Sequence, residues 1–141
     1  MNREIKFRGK SLATGEWLHG SHFNDGAEDY ILPNLPSGAI DYESYQVDQN
    51  TIGQFTGLLD KNGKEIYEGD IVEVYDFTSV YARKYQGVVK MIHCTWVVVY
   101  EWMFGIAQPN LDFDDFANKK TKVIGNEFDN PDLIKSFERI E

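Results

Sequence analysis

The chain holds one cysteine, Cys94, in 141 residues. An internal disulfide is therefore impossible, and no cysteine-based metal site can be assembled within one chain. Histidines are scarce as well: only His19, His22 and His93 are present. No stretch reaches the roughly 18 uninterrupted apolar residues expected of a membrane span. The longest apolar run, WVVVYEWMFGIA, is broken by Glu101. The N-terminal MNREIKFRGK is charged from its second residues onward and has no apolar signal core. These absences lead to an expectation of a cytoplasmic protein with no membrane segment.

A basic stripe is also missing. Net charge is −9 and the sequence pI is near 4.7, a potential that repels nucleic-acid phosphates at long range, so a nucleic-acid partner is not expected. No Gly-rich phosphate loop, G-x-S-x-G elbow, H-E-x-x-H pair or dinucleotide fingerprint occurs. Together these gaps lower the expectation of an enzyme, and no cofactor is expected.

What the chain has is aromatic and β-branched. Hydrophobic content is 42% and aromatic content 14%, which argues for a folded domain and favours strands over helices. REIKFRG alternates Ile5 and Phe7 with Lys6 and Arg8, the period of a strand with one buried face. ATGEWLHGSHF reads as a turn at Thr14–Gly15 followed by a strand carrying Trp17, His19 and Phe23. NDGAED is a loop, and YIL is a short strand stopped by Pro33. Residues 33–42, with two prolines and a glycine, form a long connection where a binding loop can sit. SYQVD and TIGQFTG read as further short strands.

The densest stretch is FTGLLDKNGKEIYEGDIVEV, residues 55–74. Its Asn62-Gly63 predicts a type I′ hairpin turn, because both residues tolerate positive φ. EGD makes a second turn into the strand IVEVYDF. SVYARKYQG fits either a short helix or an irregular excursion. GVVKMIHCTWVVVYEWMF is too long for one strand and predicts two, turning near His93–Thr95. LDFDDF begins a polar loop or a single helical turn, and KVIGN is a last strand. DNPDLIKSFERI predicts a C-terminal helix over about 130–140 with Asn130 as N-cap and Pro131 at the first helical position. Leu133, Phe137 and Ile140 line one face of it. The expected fold is mostly β, a small barrel-like or two-lobed antiparallel architecture with a short C-terminal helix. Residues 1–141 form one domain, with an N-terminal β-lobe at about 1–57 and a barrel-like lobe at about 58–128.

Within that framework GQFTGLLDKNGKEIYEGDIV, residues 53–72, resembles the signature of the YopX family, small proteins found mostly in phages and prophages. The resemblance extends to KFRGK with the following TGEW, to YQVDQNTIGQFTG, and to VIGNEFDNPDLI. It covers nearly the whole chain in order, and residues 76–120 carry least of it. It implies a mostly-β fold and an origin in mobile genetic elements. It carries over no catalytic residue.

Residue by residue, the acids Asp60, Glu65, Glu68 and Asp70 could serve acid–base work or a divalent cation, but Asp60 beside a turn and Asp70 before an apolar strand read as caps on backbone amides. DKNG fails as a calcium loop because its glycine arrives too early. His19 and His22 fall on opposite faces of a strand, and adjacent His93 and Cys94 point apart, so neither pair makes a chelate or a nucleophile–base unit. In LDFDDF, an extended backbone would place Asp112 and Asp114 on one face, able to share Mg²⁺ or Ca²⁺ with a distant carboxylate. The bland reading is a half-buried segment with a solvated edge, and a further use is an anionic contact surface for a basic partner. Trp17, Tyr30, Tyr42, Tyr45, Trp96, Tyr100 and Trp102 are expected to pack in cores or a subunit interface. The basic clusters are Arg83-Lys84 and Lys119-Lys120-Lys122. The reading that follows is a phage or prophage accessory protein, a protein-binding or oligomeric interaction module with protein partners and homo-oligomerisation expected. One alternative is an acidic nucleic-acid mimic that occupies a DNA-binding protein. Another is a divalent-metal enzyme using Asp112 and Asp114. No catalytic or cofactor-binding residue is assigned.

Overall fold

The computed structural model describes residues 4–33, 42–76, 83–102, 105–111 and 116–134. The chain divides into two units, Met1–Phe55 and Thr56–Glu141. Ten strands are formed: β1 (Phe7–Lys10), β2 (Trp17–Asn24), β3 (Asp29–Leu32), β4 (Gly53–Leu59), β5 (Glu65–Tyr67), β6 (Asp70–Asp76), β7 (Arg83–Ile92), β8 (Thr95–Trp102), β9 (Gly105–Ala107) and β10 (Thr121–Asn126). The one α-helix, α1, is Phe116–Lys120. The strands make two five-stranded sheets, ordered β3-β2-β1-β4-β5 and β10-β6-β7-β8-β9. The mostly-β antiparallel architecture read from the sequence is the one that forms, and neither sheet closes into a barrel among the described residues.

In the first unit β1 is central, pairing Phe7 with Gly20 and Lys10 with Trp17 on β2, and Phe7 with Gln54 on β4. β2 then pairs with β3 from Ser21–Leu32 to Asn24–Asp29. Ile31 and Val47 are buried, with Phe55 nearly so. Val47 sits so close to Gly9 that a β-carbon there would lie 3.0 Å from its side chain. The stretch read as a strand at SYQVD is instead a 3-10 turn, Tyr42–Tyr45, followed by isolated bridges from Gln46 to Tyr30 and from Val47 to Ser11. A second 3-10 turn, Gln49–Thr51, follows at once, begun by the Asp48 carboxylate accepting from the Asn50 amide at 3.0 Å. A cap placed there leaves no room for a continuous strand.

The second unit carries the main apolar core: Ile66, Val72, Val74, Val89, Trp96, Val98, Leu111, Ala117 and Val123, with Leu58, Tyr85 and Phe116 packed against it. Alternation accounts for the choice, since Val72 and Val74 share one face of β6, where they pair with β-branched Val123 and Thr121 on β10 and with Gly87 and Tyr85 on β7. Each such side chain contributes about 1.5–3 kcal/mol on burial.

Two turns decide how β4–β8 run. β7 and β8 are joined by only His93 and Cys94, with Ile92 paired to Thr95. Both residues have positive φ, 51° and 62°, which is the type I′ geometry of a two-residue hairpin carried out without glycine. The turn expected near His93–Thr95 is therefore present. At Asn62-Gly63 the expectation of type I′ is corrected, because of the pair only Gly63, at φ 81°, is left-handed. The Asp60 carboxylate draws in the amides of Asn62 and Lys64 at 2.8 and 2.9 Å. That makes a longer loop with a single left-handed residue, the hairpin form next most common after the two-residue one.

At the C-terminal end, Pro131–Ile134 is a 3-10 turn. The Asn130 side chain reaches back to accept from the Asn126 amide at 3.2 Å, so it closes the preceding turn and does not cap forward. The rest of the expected helix, with Phe137 and Ile140, lies outside the described residues. No helix among those described is long and apolar enough to cross a membrane.

Candidate functional site

The acids of residues 55–74 were the first chemical candidates. Asp60 is buried at 1% exposure. One oxygen accepts from Asn62 and Lys64, and the other accepts from the Val123 amide on β10 at 2.9 Å. Asp70, also buried, accepts from the Tyr67 amide at 2.7 Å across the Glu68–Gly69 turn. With three backbone donors Asp60 is a fastener, its lone pairs already engaged, and Asp70 likewise spends an oxygen on its own turn. The Glu73 carboxylate accepts from the Tyr75 hydroxyl and lies 3.4 Å from the Lys84 ammonium. Tyr75 lies under the Lys61 ammonium at 3.6 Å. These are local surface arrangements of β6 and β7.

Asp112 and Asp114 lie outside the described residues, so the face they would share is not on view. Their neighbour Leu111 is fully buried in the core, with its amide donating to the Trp96 carbonyl at 2.9 Å. Residues 116–120 form the helical turn allowed for at the end of LDFDDF. Among the described residues no group of three or more His, Cys, Asp and Glu could hold a metal ion.

Of the histidines, His93 occupies the β7–β8 turn beside exposed Cys94. His19 pairs with Arg8 across β1 and β2, and His22 pairs with Ile31 on β3. The His22 ring meets the Asp29 carboxylate, Nε2 to Oδ1, at 2.7 Å. It also tilts over Phe7 at 5.6 Å. The Asn24 side chain donates to the same Asp29 oxygen at 3.0 Å. Asp29 is nearly buried, and its carboxyl is held below the ordinary 3.8 by the Asn24 and then the His22 hydrogen bonds. An Asp-oriented imidazole is two-thirds of a catalytic triad. Among the described residues no Ser, Thr or Cys side chain hydrogen-bonds the ring, so the nucleophile that acyl transfer needs is missing from the set.

Asp29 escaped the sequence reading, which treated 24–29 as loop. The signal was there: Asn24 and Asp29 bracket a Gly-containing turn, and both are short side chains able to grip it. In the structure they are the closing pair of the β2–β3 hairpin. Inside the turn, Asp25 accepts from the amides of Ala27 and Glu28 at 2.9 and 2.8 Å. Those two donors hold the Asp25 carboxyl below its ordinary value.

Around this hairpin the aromatics gather. Phe23 and Tyr30 lie 6.1 Å apart, and Tyr30 meets Tyr42 edge-on at 5.9 Å. The sequence reading expected Tyr30 and Tyr42 to be core or interface rings, and it did not join Phe23 to them. Elsewhere Trp96 is in the core, Tyr85 stacks on Tyr100 at 3.9 Å, and Trp17 lies under the Arg8 guanidinium at 4.7 Å.

The fold thus defines a mostly-β, antiparallel protein with no assembled catalytic set among its described residues. The chain belongs to the YopX family: residues 6–135 match the family model described as YopX protein. Among solved structures it is similar to the crystal structure of protein EF1440 from Enterococcus faecalis, at 24% identity. That match covers 95% of this chain and 100% of that chain, with a TM-score of 0.48. No curated protein matches the chain.

Proposed function

We propose that this YopX family member is an accessory protein of a phage or prophage, acting in the cytoplasm by binding another protein rather than by turning over a substrate. The observation that carries the reading is a run of three rings, with half-buried Tyr30 between two exposed neighbours. Phe23 is 46% and Tyr42 48% exposed, each packed against Tyr30. Aromatic side chains grouped on a surface supply contact area at low entropic cost, and they are enriched where proteins meet. The engagement of Asp60 and Asp70 with backbone amides supports the same reading, since it removes two of the acids that chemistry would have used.

Self-association belongs to the proposal too. Ile106, 68% exposed, sits on β9, the last strand in the order of its sheet. An edge strand bearing an exposed β-branched residue invites pairing with a second copy.

The test is affinity capture with the tagged full-length protein from lysogenic host cells at physiological salt, beside light scattering of the purified protein. A reproducible partner retained in stoichiometric amount supports the binding reading. Its absence across lysogenic and infected cells, together with a monomer in solution, overturns it.

A further inference from the structure

We propose that the tip of the β2–β3 hairpin, with the adjoining Tyr42–Tyr45 turn, receives a lysine or arginine side chain from a basic segment of the partner protein. The inference rests on the interaction reading above and gives the partner a chemistry.

Two independent features coincide there. The first is the ring set itself. Tyr30 is flanked by Phe23 at 6.1 Å and Tyr42 at 5.9 Å, and the outer two are about half exposed. Ring faces carry negative electrostatic potential, so such a surface attracts organic cations. The second is uncompensated charge. Asp25 accepts from the Tyr30 hydroxyl at 3.2 Å. The Glu28 carboxylate accepts from the Gln46 side chain at 2.8 Å, and Gln46 bridges to Tyr30. Glu43 follows Tyr42 in the same 3-10 turn. Burial and then Asp25 raise the Tyr30 phenol above its ordinary value, and Glu28 and Glu43 push it the same way. One carboxylate thus accepts from the ring's hydroxyl, and two more stand along the chain beside its neighbours Gln46 and Tyr42.

No Lys or Arg occurs between Lys10 and Lys61, a gap that contains the whole patch. Among the described residues, none of Asp25, Glu28 and Glu43 takes part in an ion pair. A metal ion fits poorly, because these acids do not converge closely enough to chelate one. A purely apolar partner fits poorly as well, because it would strip water from carboxylates and return nothing. A guanidinium or ammonium satisfies both features, stacking on the rings while pairing with Glu28 or Glu43, since Asp25 is already engaged by the Ala27 and Glu28 amides and the Tyr30 hydroxyl.

The experiment is fluorescence anisotropy of the full-length protein with labelled peptides. One peptide carries Arg and Lys spaced by Gly and Ser, and a control carries Gln at the basic positions. The basic peptide should bind and the neutral one should not. The double variant Phe23→Ala/Tyr42→Ala keeps the net charge and should weaken binding about fivefold or more. Tyr42→Phe retains a ring and should bind nearly as the wild type does. Glu43→Gln should weaken binding more than Glu16→Gln, an equal charge change at an exposed site off the patch. Melting curves confirm that each variant folds. The double variant binding as tightly as wild type would overturn the surface, since attraction to overall charge would then suffice. Equal losses from Glu43→Gln and Glu16→Gln would overturn it likewise. Neither outcome bears on whether a cellular partner is captured, so this inference and the broader reading fail separately.

Discussion

The carboxylate of Asp60 accepts a hydrogen bond from the amide of Val123 at 2.9 Å, joining residues 63 positions apart. The same side chain closes its own turn by accepting from Asn62 and Lys64. One buried acid thus holds the β4–β5 hairpin against the last strand of the second unit. The neighbouring Lys61 amide, donating to the Thr121 carbonyl at 2.9 Å, adds a second tie to β10.

Asp60→Ala should therefore be costly. It leaves three amides that the fold had supplied with a charged acceptor, and each such loss runs to about 1–3 kcal/mol when the group stays dry. We expect a total loss of at least about 2 kcal/mol in urea unfolding. Asp60→Asn should recover part of it, since one amide oxygen remains to accept. A melting transition unchanged in the Ala variant would show that water takes the place of the carboxylate.

Leu111→Ala tests the border of the acidic segment. Leu111 is fully buried in the core beside Trp96 and Val98. Truncation should cost about 2–5 kcal/mol by the lost transfer energy and the cavity left behind. Denaturation midpoints are the readout, and peptide binding at the β2–β3 hairpin should stay as it was.

Cys94→Gly should stabilise. Cys94 holds φ 62° at the second position of a two-residue turn, a conformation costing a side-chain-bearing residue about 1–2 kcal/mol. Glycine removes that strain but adds freedom to the unfolded chain, so a net gain of roughly 0.5–1 kcal/mol is expected. Thermal melting under reducing conditions reads it directly, and a lower midpoint would contradict the turn's geometry.

Asp29 predicts a pH dependence. Its carboxyl is held below the ordinary 3.8, first by Asn24 and then by His22. A depressed folded-state value means the stabilisation is fully present above the unfolded-state value. It is lost as pH falls through the folded-state value, because protonation then breaks bonds the unfolded chain never had. Stability should thus decline on acidification from the carboxylate range downward. Asp29→Asn should flatten that decline while lowering stability at neutral pH. Urea midpoints measured from pH 7 to pH 2 give the comparison, and parallel curves would remove Asp29 from the account.

Much of the architecture was legible locally. Alternation marked the strands of REIKFRG, IVEVYDF and KVIGN because a half-buried pleat imposes a period of two. The length of residues 87–104 required a turn, and it falls at His93–Cys94 although no glycine advertises it. Two local readings went astray because side chains competed with them. Asn62-Gly63 carried the type I′ signal, yet the Asp60 carboxylate wound the loop differently. SYQVD had strand composition, yet a 3-10 turn and a carboxylate cap took its place.

The hairpin patch was the least legible part. Phe23, Asp25, Glu28 and Tyr30 are close in sequence, but they read as the ragged end of a strand, a loop and the start of another. Tyr42 and Glu43 are brought to them by Gln46 bridging back to Tyr30 and by the Val47 amide donating to the Asp29 carbonyl.

By itself the sequence determined the strand periodicity, the acidic charge and the family, because each is written in residue type and short spacing. The tertiary structure decided which acids became fasteners, which ring stayed in solvent, and which imidazole met a carboxylate. Those outcomes depend on strand register, and register is settled only when distant strands bury their apolar faces together.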